Sequence, residues 1–283
     1  MAAMQLTAIE NLRNSFRGEI YLPDDIGYDD ARKIWNGMFD RKPAIIARCI
    51  GTSDVIHAVN FGRDQKLLVS VKGGGHNSAG NAVCDDGLMI DLSRMRRVNV
   101  DKNSKTVRVD GGALLSDVDY ETQLYGLAVS GGIVSHTGVG GLALGGGFGW
   151  ISRSQGLSID NLLSAEVVTA NGELVTASAE ENPDLFWGIC GGGGNFGVVT
   201  SFVFTCGEIG TEVYSGMIIK KFENARDYIK FHRNYVRTLP DEMTIWMVIR
   251  HAPPLPFIPS EVHGGMVIAL PFYGLVTRPE GKS

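Results

Sequence analysis

Residues 72–80 read KGGGHNSAG, and they follow directly on the apolar run Leu67-Leu68-Val69-Ser70-Val71. That run has the make-up of a buried strand. Three successive glycines are conformationally costly, so placing them straight after a strand implies that the backbone itself must approach another group closely. His76 is then the reactive side chain at that approach. Imidazole is a nucleophile able to form covalent bonds, which gives this histidine a role beyond that of a satisfied polar residue.

Working outward, two more glycine clusters follow. Nine glycines fall between Gly131 and Gly149 in SGGIVSHTGVGGLALGGGFG, and residues 191–197 read GGGGNFG. The chain holds 37 glycines in 283 residues, well above the roughly 7% of an average chain. Each cluster lies beside an expected strand. Together they favour one extended ligand lying against the backbone, and runs of backbone N–H groups suit a phosphate or pyrophosphate. A dinucleotide is the natural candidate.

Two other classes fit less well. Gly138-Val139-Gly140-Gly141-Leu142-Ala143 satisfies G-x-G-x-x-[GA], with Asp160 further on, as a Rossmann-type nicotinamide enzyme would require. The preceding segment is too glycine-rich for a central strand, however, and Asp160 comes before the next strand instead of ending it. His76-Asn77-Ser78-Ala79-Gly80 resembles a hydrolase nucleophile elbow, but with His where the first glycine belongs.

Composition sets the outer limits. A formal net charge of −5 and the lack of a basic block argue against nucleic-acid binding. Cys49, Cys84, Cys190 and Cys206 have no metal-type spacing and read as small buried hydrophobes, so no metal is expected. The N-terminal MAAMQLTAIENLRNSFRGEIYL has no long apolar core, and no stretch approaches the ~20 apolar residues of a membrane span. A cytoplasmic protein without membrane partners is expected.

Strands are expected at Pro43–Cys49, Leu67–Val71, Gly87–Leu92 and Thr106–Val109. Helices are expected from Thr52 or Ser53, which would cap the first of them, and over 114–125. Asn171-Gly172 lies between two β runs and marks a hairpin, and Val198–Phe204 is a further strand. Beyond about residue 210 the glycine excess ends. An amphipathic helix over Phe222–Leu239 and strands at Thr244–Ile249 and Met266–Phe272 open a second domain. One helix and two or three strands are too little for an independent sheet domain, so this part reads as incomplete, with Met266–Leu270 exposed and its edges unpaired.

Taken in order, VSVKGGGHNSAG, SGGIVSHTGVGGLALGGGFGWISRSQGLSIDN, VVTANGELV and DLFWGICGGGGNFGVVTSFVF resemble the FAD-binding half of berberine bridge enzyme-like flavoproteins of the vanillyl-alcohol oxidase superfamily. The resemblance covers about residues 40–210 and continues more weakly to about 273. It implies an α+β chain: a two-part FAD-binding domain over 1–210 (subdomains of about 1–110 and 111–210), then the beginning of an antiparallel-sheet substrate domain over 211–283. It also implies a C-terminally truncated family member, with the catalytic base in the part not present.

The same resemblance implies FAD as cofactor, bonded through His76. Gly73, Gly74, Gly75, His76 and Asn77 would cradle the pyrophosphate. Gly132, Thr137, Gly138, Gly141, Gly147 and Gly149 form the second contact region, and Val198 lies where family members hold FAD with backbone atoms. Many members add a cysteinyl bond at the position held here by Val134, so a second bond is excluded; His136 is a neighbouring alternative tether. Thr137 stands where the family controls oxygen access. The implied function is oxidation of an alcohol or amine carbon of a small molecule by hydride transfer, with molecular oxygen or another acceptor closing the cycle. The rival expectation is a non-catalytic FAD-binding fragment.

Overall fold

A computed structural model describes residues 6–275. The first residues of the leader reading and the last eight of the expected substrate segment lie outside this range.

The chain begins with α1 (Leu6–Ser15), β1 (Glu19–Tyr21), α2 (Tyr28–Arg32), β2 (Ile45–Arg48), α3 (Thr52–Asp64), β3 (Val69–Lys72) and β4 (Leu88–Asp91). The strands form a sheet in the order β1-β2-β4-β3, in which β2, β4 and β3 run parallel. A parallel sheet is covered on both faces, so its strands are apolar at successive positions. In β2 and β4, Ile45, Ala47, Leu88 and Ile90 face a core shared with α1 and α3, while Ile46 and Met89 face Tyr28, Ala31 and Val83.

No side chain caps α3; Gly51 stands at its N-cap. The expected capping by Thr52 or Ser53 is replaced by Asp54 inside the first turn. Its carboxylate accepts from the N–H groups of Arg17, Gly18 and Ile50 and so ties the helix start to the β1 entrance.

The next elements are β5 (Val98–Asp101), β6 (Thr106–Asp110), α4 (Leu115–Thr122), β7 (Leu127–Ala128), α5 (Val139–Leu144), α6 (Ser152–Gln155), β8 (Leu162–Val168), β9 (Leu174–Ser178), α7 (Pro183–Ile189) and β10 (Val198–Thr205). They build an antiparallel sheet in the order β5-β6-β10-β8-β9, so the two sheets divide between Asp91 and Val98. Asn171-Gly172 makes the β8–β9 hairpin, with Gly172 at φ 78°. The buried face of this sheet carries Val107, Val109, Ala165, Val167, Phe202 and Phe204, and α4, α5 and α7 pack on it. Val168 and Val198 sit in the same cluster as the buried face of α3, which joins the two sheets.

The remainder comprises β11 (Gly207–Glu208), β12 (Val213–Lys221), α8 (Ala225–Tyr235), β13 (Met243–Ile245), β14 (Val248–His251) and β15 (Met266–Leu275). The expected strand at 244–249 is two short strands. β15 is the centre of this antiparallel sheet, pairing with β12 on one side and β13 and β14 on the other. Val267, Ile268 and Ala269 are therefore buried and the run is paired on both sides, so of the expected exposed, unpaired Met266–Leu270 only Met266 stays exposed. The exposure falls on β12 and α8 instead: β12 is exposed along almost its whole length and α8 buries no residue.

This sheet is anchored to the first part by Arg153, which donates to the carbonyls of Val236 and Leu239. Thr244 Oγ1 donates to the Trp150 carbonyl, and Trp150 stacks on Trp246 at 4.4 Å. No helix among the described residues is long and apolar enough to cross a membrane.

Candidate functional site

The parallel strands end in charge. Register places Arg48, Asp91 and Lys72 side by side at the C-terminal ends of β2, β4 and β3. Asp91 is 0% exposed and meets Arg48 Nε at 3.0 Å and Lys72 Nζ at 3.4 Å. Burial holds the Lys72 ammonium below its ordinary pKa, against the pull of Asp91. Lys72 Nζ also donates to the Ala31 carbonyl at 2.6 Å. A buried carboxylate with two cations and backbone donors is stable only as a set, and this set fixes where β3 hands over to the glycine loop.

From that point the chain enters Gly73–Gly80 at the carboxyl edge of the parallel strands, where ligands of open α/β sheets characteristically bind. The segment after α2 clamps the loop: Trp35 N donates to the Gly75 carbonyl at 3.0 Å, and Asn36 Nδ2 donates to the Ser78 carbonyl at 2.9 Å. Asn77 stabilises the loop from inside, its side-chain oxygen accepting from the N–H groups of Ala79 and Asn81. Ser78 is exposed, and no imidazole bonds to it among the described residues, so the nucleophile-elbow arrangement is not formed.

The second glycine segment comes to the first. Leu115 N donates to the Thr137 carbonyl, and Val139 N to that of Ala113, which hangs residues 137–139 beside Leu114. There Gly138 meets Gly74 backbone to backbone. A Cβ on either would overlap the amide of the other, so both positions require glycine for the loops to touch. Gly147 packs on Ser158 and Gly149 on the Gly131 carbonyl, both close enough to exclude a larger residue, and Gly132 lies against the side-chain tip of Leu142. Gly73 and the buried Gly75 complete the first loop, and Val198 is buried at the start of β10. Among the candidate glycines, Gly141 alone faces open space.

His76 and His136 lie 60 positions apart, yet His76 Nε2 is 2.7 Å from His136 Nδ1. Trp35, 65% exposed, stacks on His76 with centroids 4.9 Å apart and planes 7° from parallel; its ring also touches His136 at 4.6 Å. Burial, and secondarily the charge of His136, holds the His76 pKa below the ordinary imidazole value. Both effects favour the deprotonated ring, which carries a nitrogen lone pair. Val134 is exposed and has no nucleophilic atom.

A dinucleotide needs amide donors for its pyrophosphate. Among the described residues, no N–H from Gly73 to Ser78 donates to a protein acceptor, and neither do those of Gly138, Gly140 and Gly141. Free donors on two touching loops, beside an imidazole, fit FAD. The four cysteines are free, and Cys49, Cys84 and Cys206 are buried. No group of three or more metal-ligating side chains gathers among the described residues.

Comparison with known proteins supports FAD as the ligand. Residues 43–178 match the family model described as an FAD binding domain. The chain carries an FAD-binding domain and is related in sequence to proteins named as FAD-linked oxidoreductases. It is 39% identical over 204 residues to (R)-6-hydroxynicotine oxidase of Paenarthrobacter nicotinovorans, covering 72% of this chain and 44% of that protein. It is 40% identical over 193 residues to glucooligosaccharide oxidase of Sarocladium strictum, covering 67% and 38% respectively. The crystal structure of 6-hydroxy-D-nicotine oxidase from Arthrobacter nicotinovorans superposes with a TM-score of 0.85 at 30% identity, over 93% of this chain and 56% of that one. Xylooligosaccharide oxidase from Myceliophthora thermophila, solved with xylobiose, gives 0.80 at 30% identity, over 96% and 56%. The chain thus spans about half the length of the curated relatives it matches.

Trp35 and the Arg48–Asp91–Lys72 set were not among the residues singled out from sequence. The signal for Trp35 was a lone tryptophan before Asn-Gly in a polar stretch; the ion set needed the strand register.

Proposed function

We propose that this chain is the FAD-binding part of an oxidoreductase that oxidises an alcohol or amine carbon of a small molecule, with the flavin bonded to His76. The observation that carries the reading is the His76 imidazole, held by Trp35 and His136 beside two touching loops with free amides at Gly73–Ser78, Gly138, Gly140 and Gly141. When bound, FAD supplies the two-electron chemistry, accepting a hydride from the substrate carbon and passing the electrons to molecular oxygen or another acceptor.

The chain's own residues bind and orient. Amides of Gly73, Gly74, Gly75, His76 and Asn77, with those of Gly138 and Gly141, offer donors to the pyrophosphate. Gly132, Gly147 and Gly149 hold the second loop in place by their packing, and Val198 fixes the strand start that joins the two sheets. His76 presents a lone pair for a bond to the flavin 8α carbon. Val134 offers no second bond, so attachment is through one residue. Thr137, half-buried beside the loop contact, is the side chain proposed to govern oxygen access.

Substrate and acid/base groups are proposals for the whole protein. The relatives' names include a hydroxynicotine oxidase and oligosaccharide oxidases, which leaves amines and sugar alcohols as the classes to test. The direct test of cofactor binding is gel filtration after incubation with FAD. Flavin absorbance that travels with the protein peak supports the reading. Colourless protein after saturating FAD overturns it for this chain and leaves the non-catalytic fragment.

A further inference from the structure

The 2.7 Å contact between His76 Nε2 and His136 Nδ1 permits two proton arrangements. In one, His136 donates to Nε2; Nδ1 of His76 then carries the ring proton, and the Nε2 lone pair is tied up in the hydrogen bond. Neither nitrogen is then free to attack. In the other, Nε2–H of His76 donates to His136, and Nδ1 keeps an unshared pair. Nδ1 bonds to no protein atom among the described residues. Trp35 lies flat on one face of the His76 ring, at 4.9 Å and 7°, which covers that face and leaves the ring edge carrying Nδ1 uncovered by the stack.

We infer that His136 is a positioning residue that fixes the tautomer of His76 and takes its Nε2 proton, so that Nδ1 is the atom that bonds to the flavin. This rests on the proposal that His76 is the tether. The step balances as follows. Nδ1 bonds to the 8α carbon, one hydrogen leaves that carbon as a proton, and the Nε2 proton passes to His136. The two electrons released reduce the flavin, and molecular oxygen takes them with the two protons as hydrogen peroxide. His136 forms no bond to the cofactor; it removes the charge that would otherwise build up on His76 as the bond forms, a general-base contribution of about 10²-fold or more.

The test follows covalent incorporation, not turnover. The 283-residue chain is incubated with FAD in air, and the intact mass of the acid-denatured protein is read against time. The linkage nitrogen is assigned by NMR of the isolated flavopeptide. The wild type is expected to gain FAD through Nδ1. His136→Ala is expected to bind FAD without a bond and to attach it about 10²-fold more slowly. His136→Gln, whose side-chain oxygen can still accept from Nε2–H, is expected to attach it faster than His136→Ala and still at Nδ1. Attachment by His136→Ala at the wild-type rate, or a wild-type bond through Nε2, overturns the inference and leaves His76 as tether. No adduct in the wild type, or an adduct that persists in His76→Ala, overturns the tether reading and the inference with it. If His136→Ala no longer binds FAD, the wild-type linkage nitrogen decides alone.

Discussion

The region up to Glu208 and the region from Val213 onward are built on opposite principles. In the first, strands are buried on both faces or packed under helices, and α3 locks two sheets into one body. In the second, β15 is enclosed by its neighbours, but the buried cluster beneath it is only Ala252, Ile258 and Val267. Its outer elements present apolar side chains to solvent, such as Phe231 at 63% and Ile218 at 45% exposed. The cofactor loops belong wholly to the tightly packed region. Catalytic geometry needs rigid support, and on the proposed reading that support comes from the first two sheets.

The largest effect should follow from breaking the charged floor of the site. Asp91→Ala leaves Lys72 buried without its counter-ion, while the half-buried Arg48 keeps Glu19, and we expect about 3–5 kcal/mol of lost stability, read as a lower urea midpoint. A loss below about 1 kcal/mol would show that water reaches these cations. Phe202→Ala empties a fully buried position between α5 and the second sheet. It should cost about 3–5 kcal/mol in the same assay.

Gly138→Ala should cost about 1–3 kcal/mol through overpacking against Gly74, and should weaken FAD binding more than its effect on folding explains. Equal FAD affinity in that variant would mean that the loop contact does not shape the site. At the other extreme, Phe231→Ser or Ile218→Ser should change stability by no more than about 0.5 kcal/mol. A large destabilisation there would erase the contrast between the two regions.

The smallest effect is a titration. Burial and the charge of His136 both disfavour the His76 imidazolium, so its folded pKa lies below its unfolded value. The unfolded chain then binds more protons, and this group's contribution to stability is present above the unfolded pKa and declines as pH falls through it toward the folded value. An NMR titration should find His76 below the ordinary imidazole range and shifted upward in His136→Ala. No shift between the two proteins would remove His136 from its surroundings in solution.

Much of this was legible in the sequence because the signals were local. KGGGHNSAG after an apolar run marks a loop at a strand end whatever surrounds it, and Asn171-Gly172 specifies its own hairpin. The glycines at 74 and 138 were legible as close approaches, but not as approaches to each other, since nothing local encodes a contact across 63 intervening residues. The same holds for Trp35 and His136, which reach His76 only through tertiary packing, and for Asp91, whose partners depend on parallel register. The strand β12 escaped notice because Gly216 interrupts VYSGMIIKK and its side chains do not alternate between core and solvent. The helix α7 was hidden beside the glycine cluster that follows it, and Asp54 replaced the expected cap by reaching backbone outside its own helix.

The central claim, a flavin bonded to the chain through His76, is tested most directly by the visible spectrum of acid-precipitated protein after incubation with FAD. The account predicts a flavin band that stays with the wild-type pellet and moves to the supernatant in His76→Ala. A wild-type pellet without colour, from protein that was yellow before precipitation, would contradict it.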